Sequence, residues 1–255
     1  MHMFVTLEPQ EKVVLPIHYN HIVQGFIYHS IDEGLAERLH NQGYVSGGRT
    51  FRMFAYSRLM GHFKINREAG KIVFTDAIRL VLSSPIVEFC ESLATNLLRY
   101  HEVRLGNHIV RVKAIEAKQY QIDENTVRVR TLSPVVAYST LNRPDGRKYT
   151  CYFQPGESDF EHIVRQNIIK KAQLLHGDEA LFNKSISVTR MGQSRMQIVN
   201  YKGTIVKGYT STLELKGSHL LLQTALDCGL GSKNAQGFGC IVLVNLVNKK
   251  NNPCR

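Results

Sequence analysis

The chain has 255 residues, with 32 Lys and Arg against 21 Asp and Glu, 11 His, 5 Cys and no Trp, giving a formal net charge of +11 and a pI near 9.5. That length holds one large domain or two small ones, and an apolar fraction of 43% with a mean hydropathy of -0.19 excludes a disordered chain and a membrane protein. No apolar run approaches the ~18 residues of a membrane span, and the opening stretch MHMFVTLEPQEK lacks the apolar core of a signal peptide, so the expected location is the cytoplasm. The first element in chain order is a strand over Met3 to Leu7, ending at Glu8-Pro9. YNHIVQGFIYHSI follows as a helix with Ile22, Phe26, Ile27 and Ile31 on one stripe. Two strands are expected around Phe51–Phe63 and Lys71–Leu82, joined by the turn NREAG. An amphipathic helix then starts with Ser84 as N-cap and Pro85 in the first helical position, burying Ile86, Phe89, Cys90, Leu93, Leu97 and Leu98. A strand around His108–Ala117 closes the set.

After Asp123-Glu124-Asn125 the same order begins again. TVRVRT alternates apolar and basic residues as a strand does, and a helix over Ser158–His176 places Phe160, Ile163, Val164, Ile168 and Leu175 on one face. Strands at Ser185–Thr189, Met196–Tyr201 and Gly208–Leu215, a short helix over Ser218–Leu226 and a last strand over Cys240–Val244 complete it. Each half reads β-α-β-β-α-β. The predicted fold class is therefore α+β, with two tandem ferredoxin-like units over residues 1–122 and 123–255.

Charge is divided unevenly. Residues 1–122 hold 14 basic and 11 acidic side chains, net +3, and residues 123–255 hold 18 and 10, net +8. Such an excess points to a polyanion, mainly on the second unit. The cysteines at 90, 151, 228, 240 and 254 show neither CxxC nor CxH spacing, which argues against a disulfide framework and a structural zinc. No DxD or other paired-acid motif is present, so no metal or cofactor is expected.

The most specific local signal is ALDCGLGSKNAQGFGCIVLV, with Gly229, Gly231, Gly237 and Gly239 around Lys233 and Asn234. It is not a Walker A loop, because GxxxxGK[ST] is absent. Nor is it a dinucleotide loop, since the sixth residue of GLGSKN is Asn234 and a strand follows. Two readings stand: a glycine-permitted tight turn with no ligand, or a loop whose backbone amides approach phosphates.

Taken together, YNHIVQGFIY, RMFAYSRL, LSPVVA and GLGSKNAQGFG resemble, in order and approximate separation, the RAMP superfamily of CRISPR proteins, most closely the endoribonucleases that process CRISPR precursor RNA. The resemblance spans the whole chain and agrees with tandem ferredoxin-like units. It implies metal-independent cleavage within repeats, by attack of a 2′-hydroxyl to give 2′,3′-cyclic phosphate and 5′-hydroxyl ends. The general base falls on His40, which ends DEGLAERLH before NQGYVSGG; read without the resemblance, that residue is better taken as an exposed histidine at a helix C-terminus. Tyr28 matches the family's tyrosine, but on one straight helix it would stand ~18 Å from His40, so the two meet only if the helix breaks near Asp32-Glu33-Gly34, with Asp32 capping a new helix. Where the family often carries a lysine this chain has Arg52, with Arg49 three residues earlier. An arginine keeps the charge but is no general acid. His2 stands beside Met1 and Met3 at the start of the chain and is set aside.

The candidate RNA contacts are Arg49, Arg190, Arg195, Lys202 and Lys207 together with Gly229, Gly231, Lys233, Asn234, Gly237 and Gly239. The implied partners are CRISPR repeat RNA, single-stranded or hairpin, then an effector complex and a second copy of the chain. The alternative is a non-catalytic RNA-binding RAMP subunit using the same loop and basic surface.

Overall fold

A computed structural model describes residues 1–142, 144–181 and 183–244. Its first sheet runs, across the strands, Ala55–Tyr56, Ile78–Ser83, His2–Pro9, His108–Lys118 and Glu102–Leu105; its second runs Ile186–Tyr201, Thr204–Gly217, Thr126–Thr131 and Ile241–Leu243. Both therefore place the second, third, first and fourth strands of the repeating unit side by side, all antiparallel. Helices Asn20–His29 and Val87–Tyr100 belong to the first unit, and Ser158–His176 and His219–Cys228 to the second. This is the ferredoxin-like order in duplicate.

Each sheet buries one face under its helices. Val5, Leu7, Val23, Phe26, Ile27, Leu80, Phe89 and Leu93 share one core, and Val129, Phe160, Val164, Ile168, Leu213, Leu215, Leu222 and Ile241 share another. Two smaller apolar clusters join the units: Phe51 and Met53 pack with Cys228 beside Leu174 and Leu175, and Ala55 and Val81 pack with Cys240 beside Leu132.

Several boundaries differ from the sequence reading. Phe51–Phe63 is not one strand, because Met53 takes φ 55° and only Ala55–Tyr56 and Met60 pair with the sheet. Lys71–Leu82 divides into Lys71–Phe74 and Ile78–Ser83, which enter different sheets. The second long helix starts at Val87 with Ile86 as its cap. Ser84 instead donates to Met53 O at 2.7 Å and accepts the Ile86 N–H at 3.1 Å, and Leu98 is 56% exposed rather than buried.

In the second unit the two expected strands Ser185–Thr189 and Met196–Tyr201 are a single strand with a register shift between Met191 and Arg195. The sequence reading broke it at the exposed polar bulge residues Gly192 and Gln193. Tyr201 pairs with Thr204, so Lys202 and Gly203, at φ 48° and 84°, form the two-residue tip of a long hairpin. His2 is fully buried on the first strand, 3.2 Å from Leu226 O, and burial lowers its imidazole to about 4. Residues 245–255, including Cys254, lie outside the described residues.

Candidate functional site

The first helix stops where its own side chain and a neighbour compete for its backbone. Ser30 donates its hydroxyl to Phe26 O at 2.8 Å, and the Asp32 N–H turns away to Ser92 Oγ at 2.8 Å. A short helix, Glu33–Glu37, restarts the chain and runs into a wide π-turn over Arg38–Gln42, closed by Gly43 N–H to Arg38 O at 2.9 Å. Asp32 occupies the cap position of that short helix without capping it: its carboxylate accepts from Asn96 Nδ2 at 3.3 Å instead. The break folds the chain back on itself. Tyr28 and His40, twelve residues apart in sequence, meet edge to face with ring centroids 5.5 Å apart.

Arg52 locks this arrangement. Its guanidinium donates to His40 O at 2.8 Å and to Thr50 O at 3.4 Å, and its charge acts on the Tyr28 phenol. Burial pushes that phenol up to about 12 against the opposing pull of Arg52. His40 Nδ1 lies 3.0 Å from Asn41 Oδ1.

These three side chains open onto a cleft of about 470 Å³ between the units. Arg49 lines it from the first unit; Lys202, Lys233, Asn234 and Gly231 line it from the second. Its cations therefore come from both units, not chiefly from the more basic one. The Lys233 ammonium sits 5.8 Å from the Tyr138 ring centroid, and burial lowers its pKa. Cys228 also reaches the cleft, but burial raises its thiol to about 12, so it stays protonated.

The glycine segment forms the floor. Gly229, Gly231, Gly237 and Gly239 are buried, and a Cβ on Gly239, which has φ +71°, would stand 1.9 Å from Leu230 O. Packing therefore accounts for the glycines, while the stretch from Ser232 to Gln236 faces the cleft. Lys171, which the sequence reading missed, holds the loop from below. Its ammonium donates to Asn234 Oδ1 at 2.7 Å, Gly229 O at 2.8 Å and Gly231 O at 3.3 Å. Desolvation lowers Lys171 to about 8, still above neutrality, and the three oxygens favour the charged form.

Asn20 and Gln24 on the first helix were also missed. Asn20 Nδ2 donates to Gln236 O at 2.8 Å, Gln24 Nε2 to Ala235 O at 2.7 Å, and Tyr201 at the hairpin end donates its hydroxyl to Gln24 Oε1. Of the remaining expected contacts, Arg190, Arg195 and Lys207 are exposed on the long hairpin outside the cleft.

Residues 115–243 match the family model described as CRISPR associated protein Cas6, C-terminal, and residues 14–116 match CRISPR-associated protein Cas6, N-terminal. The chain belongs to the Cas6 family. It is 27% identical over 254 residues to the CRISPR-associated endoribonuclease Cas6 1 of Methanocaldococcus jannaschii, covering 98% of this chain and 96% of that protein. To the CRISPR-associated endoribonuclease Cas6 of Pyrococcus furiosus it is 26% identical over 249 residues, covering 94% and 89%. A solved structure of a Cas6-related protein from Pyrococcus furiosus aligns with a TM-score of 0.81 at 20% identity, covering 96% of this chain and 98% of that one. A second, a CRISPR associated protein Cas6, aligns at 0.77 and 22%, covering 96% and 99%.

Within this Cas6 chain the four sequence segments that carried the resemblance converge on the loop. YNHIVQGFIY supplies Asn20 and Gln24. RMFAYSRL supplies Tyr56, whose hydroxyl donates to Asn20 O at 2.8 Å, and Arg58, which donates to Asn20 Oδ1 at 2.9 Å. LSPVVA supplies Ser133, Pro134 and Val136, whose oxygens accept from Cys240, Gly239 and Ser232.

Proposed function

We propose that this Cas6-family chain is a metal-independent endoribonuclease that cuts CRISPR precursor RNA within its repeats. In this reading residues 1–122 carry the catalytic groups, residues 123–255 supply the glycine loop and the hairpin, and the transcript is met in the cytoplasm. One observation carries the reading: Tyr28, His40 and Arg52 meet at a cleft lined by cations, with no Asp or Glu lining it among the described residues.

The hydrogen bonds support this chemistry. With Nδ1–H donated to Asn41 Oδ1, His40 keeps its lone pair on Nε2 and takes the proton of a 2′-hydroxyl. The freed oxygen bonds to the adjacent phosphorus while the bond from phosphorus to the 5′-oxygen breaks, leaving a 2′,3′-cyclic phosphate. The departing oxygen takes a proton from the Tyr28 phenol, which burial keeps protonated, and His40 returns its own proton to Tyr28. Arg52 holds the His40 backbone and adds charge beside the pentacoordinate phosphate.

His40→Ala, assayed on repeat RNA with EDTA present, is expected to lose about 10²–10⁴-fold in rate while binding is retained, and a 2′-deoxy scission nucleotide is expected to block cutting. Full activity in His40→Ala, or cleavage of the deoxy substrate, refutes the mechanism. A non-catalytic RNA-binding subunit shows itself if the parent protein binds repeat RNA and cuts none. Association with an effector complex or a second copy belongs to the same proposal, and size-exclusion profiles with and without repeat RNA test it.

A further inference from the structure

The long hairpin outruns its sheet. Thr126–Thr131 pairs with Thr204–Gly217 only over Thr212 to Lys216, and the outer part, Arg195 to Tyr201 against Thr204 to Thr210, is a two-stranded ribbon braced by a bridge from Val135 to Tyr209. Such a ribbon is marginal by itself. Val199 and Val206 steady its middle by packing with Val136 and Phe238.

The tip is held by a side chain. Tyr201, the last strand residue before Lys202, donates its hydroxyl to Gln24 Oε1, and Gln24 Nε2 donates to Ala235 O at 2.7 Å. Both ends of the Gln24 carboxamide are engaged, which fixes its orientation. Among the described residues, the bond from Tyr201 is the hydrogen bond that joins the hairpin to the first unit. Gln24 stands one helical turn before Tyr28, and Ala235 two residues after Lys233. Gln24, Tyr28, Tyr201, Lys202, Lys233 and Ala235 all line the cleft.

One carboxamide therefore sets two cations of the second unit against the helix that carries Tyr28. Lys202 depends on it more than Lys233, because it sits on a two-residue tip at φ 48°, whereas Lys233 is half-buried over the Tyr138 ring. Charge that stabilises a pentacoordinate phosphate acts only at a set distance from the base and the acid, and a displacement of about 1 Å can cost about 10²-fold in rate.

We propose that Gln24 and Tyr201 are positioning residues for cleavage: their bond fastens the hairpin tip to the helix of Tyr28 and so sets Lys202 beside the phosphate being cut. The proposal rests on the nuclease reading. It requires neither side chain to touch the RNA or to move a proton.

The test uses the full chain and repeat RNA, with affinity read on the 2′-deoxy form and rate read from single turnovers at saturating protein. Tyr201→Phe keeps the ring and loses the hydroxyl. It is expected to cut about tenfold more slowly while affinity stays within about twofold, with melting curves confirming folding. Gln24→Leu should slow cleavage at least as much, and Tyr201→Phe added to it should slow it no further, since both remove one bond. In a Lys202→Asn background Tyr201→Phe should change the rate by less than about twofold, which a general loss of stability would not produce. Tyr201→Phe decides alone if Gln24→Leu does not fold. Cleavage at the parent rate by folded Tyr201→Phe, whatever its affinity, or a tenfold loss that persists in the Lys202→Asn background, overturns the positioning role while cleavage stands. A parent protein that binds repeat RNA and cuts none overturns the nuclease reading and this role with it.

Discussion

Arg52 shows how a residue can hold a site and charge it at once. By binding His40 O it holds the turn that carries His40, with its charge acting on the Tyr28 phenol, a positioning role that its place in the sequence did not reveal. Tyr28 carries a pH signature. Its folded phenol titrates at about 12, raised by burial, and an unfolded one near 10; between those values the unfolded chain has released a proton that the folded one keeps. The stabilisation is complete below pH 10 and is lost as pH rises to 12, so wild type should lose up to about 3 kcal/mol more than Tyr28→Phe across that window in urea titrations. Lys171 makes a different prediction. Lys171→Met leaves Asn234 Oδ1 and two loop carbonyls without their donor, and it is expected to cost about 3 kcal/mol and to slow cleavage, checked by denaturation midpoints alongside single-turnover rates.

Among the elements, the broken first helix and the long hairpin decide the site. The apolar stripe of the first helix was legible in the sequence, and so was the need for a break after Tyr28. The means of breaking it was not, because Ser92, which takes the Asp32 amide, lies sixty residues away. The first strand of the hairpin was read as two, since its bulge carries exposed polar residues that interrupt the alternation. Its tip offers a way to separate folding from binding. Lys202 holds φ 48°, a conformation asparagine adopts more readily before glycine. Lys202→Asn should leave stability unchanged or raise it by about 0.5 kcal/mol, yet weaken RNA binding and lower the slope of affinity against log salt by about 1. An unchanged slope would remove Lys202 from the RNA contacts.

The whole molecule works as two units fastened across the cleft. Asn20 is the fastening point: fully buried, it receives Arg58 and Tyr56 and donates to Gln236 O and Gly237 O. Asn20→Leu is expected to cost about 3 kcal/mol and to reduce cleavage although Asn20 does not line the cleft, since the glycine loop loses an anchor to the helix that carries Tyr28. Cleavage at the parent rate in a folded Asn20→Leu protein would show that the two sides of the cleft are not coupled through this residue.

The sequence by itself determined the fold class, because apolar periodicity is local and each helix and strand writes its buried face into a few neighbouring residues. Through the family resemblance it also marked the four segments that meet at the glycine loop, and that resemblance pointed to Tyr28, His40 and Arg52. Only the tertiary structure decided that none of the four loop glycines has room for a Cβ, that cations from both units share one cleft, and that Lys171 and Asn20 hold the loop. The physical reason is distance along the chain. Asn20 bonds a carbonyl 216 residues away and Lys171 an amide 63 away, and a buried polar side chain on a helix face carries no periodic signal that names its partner.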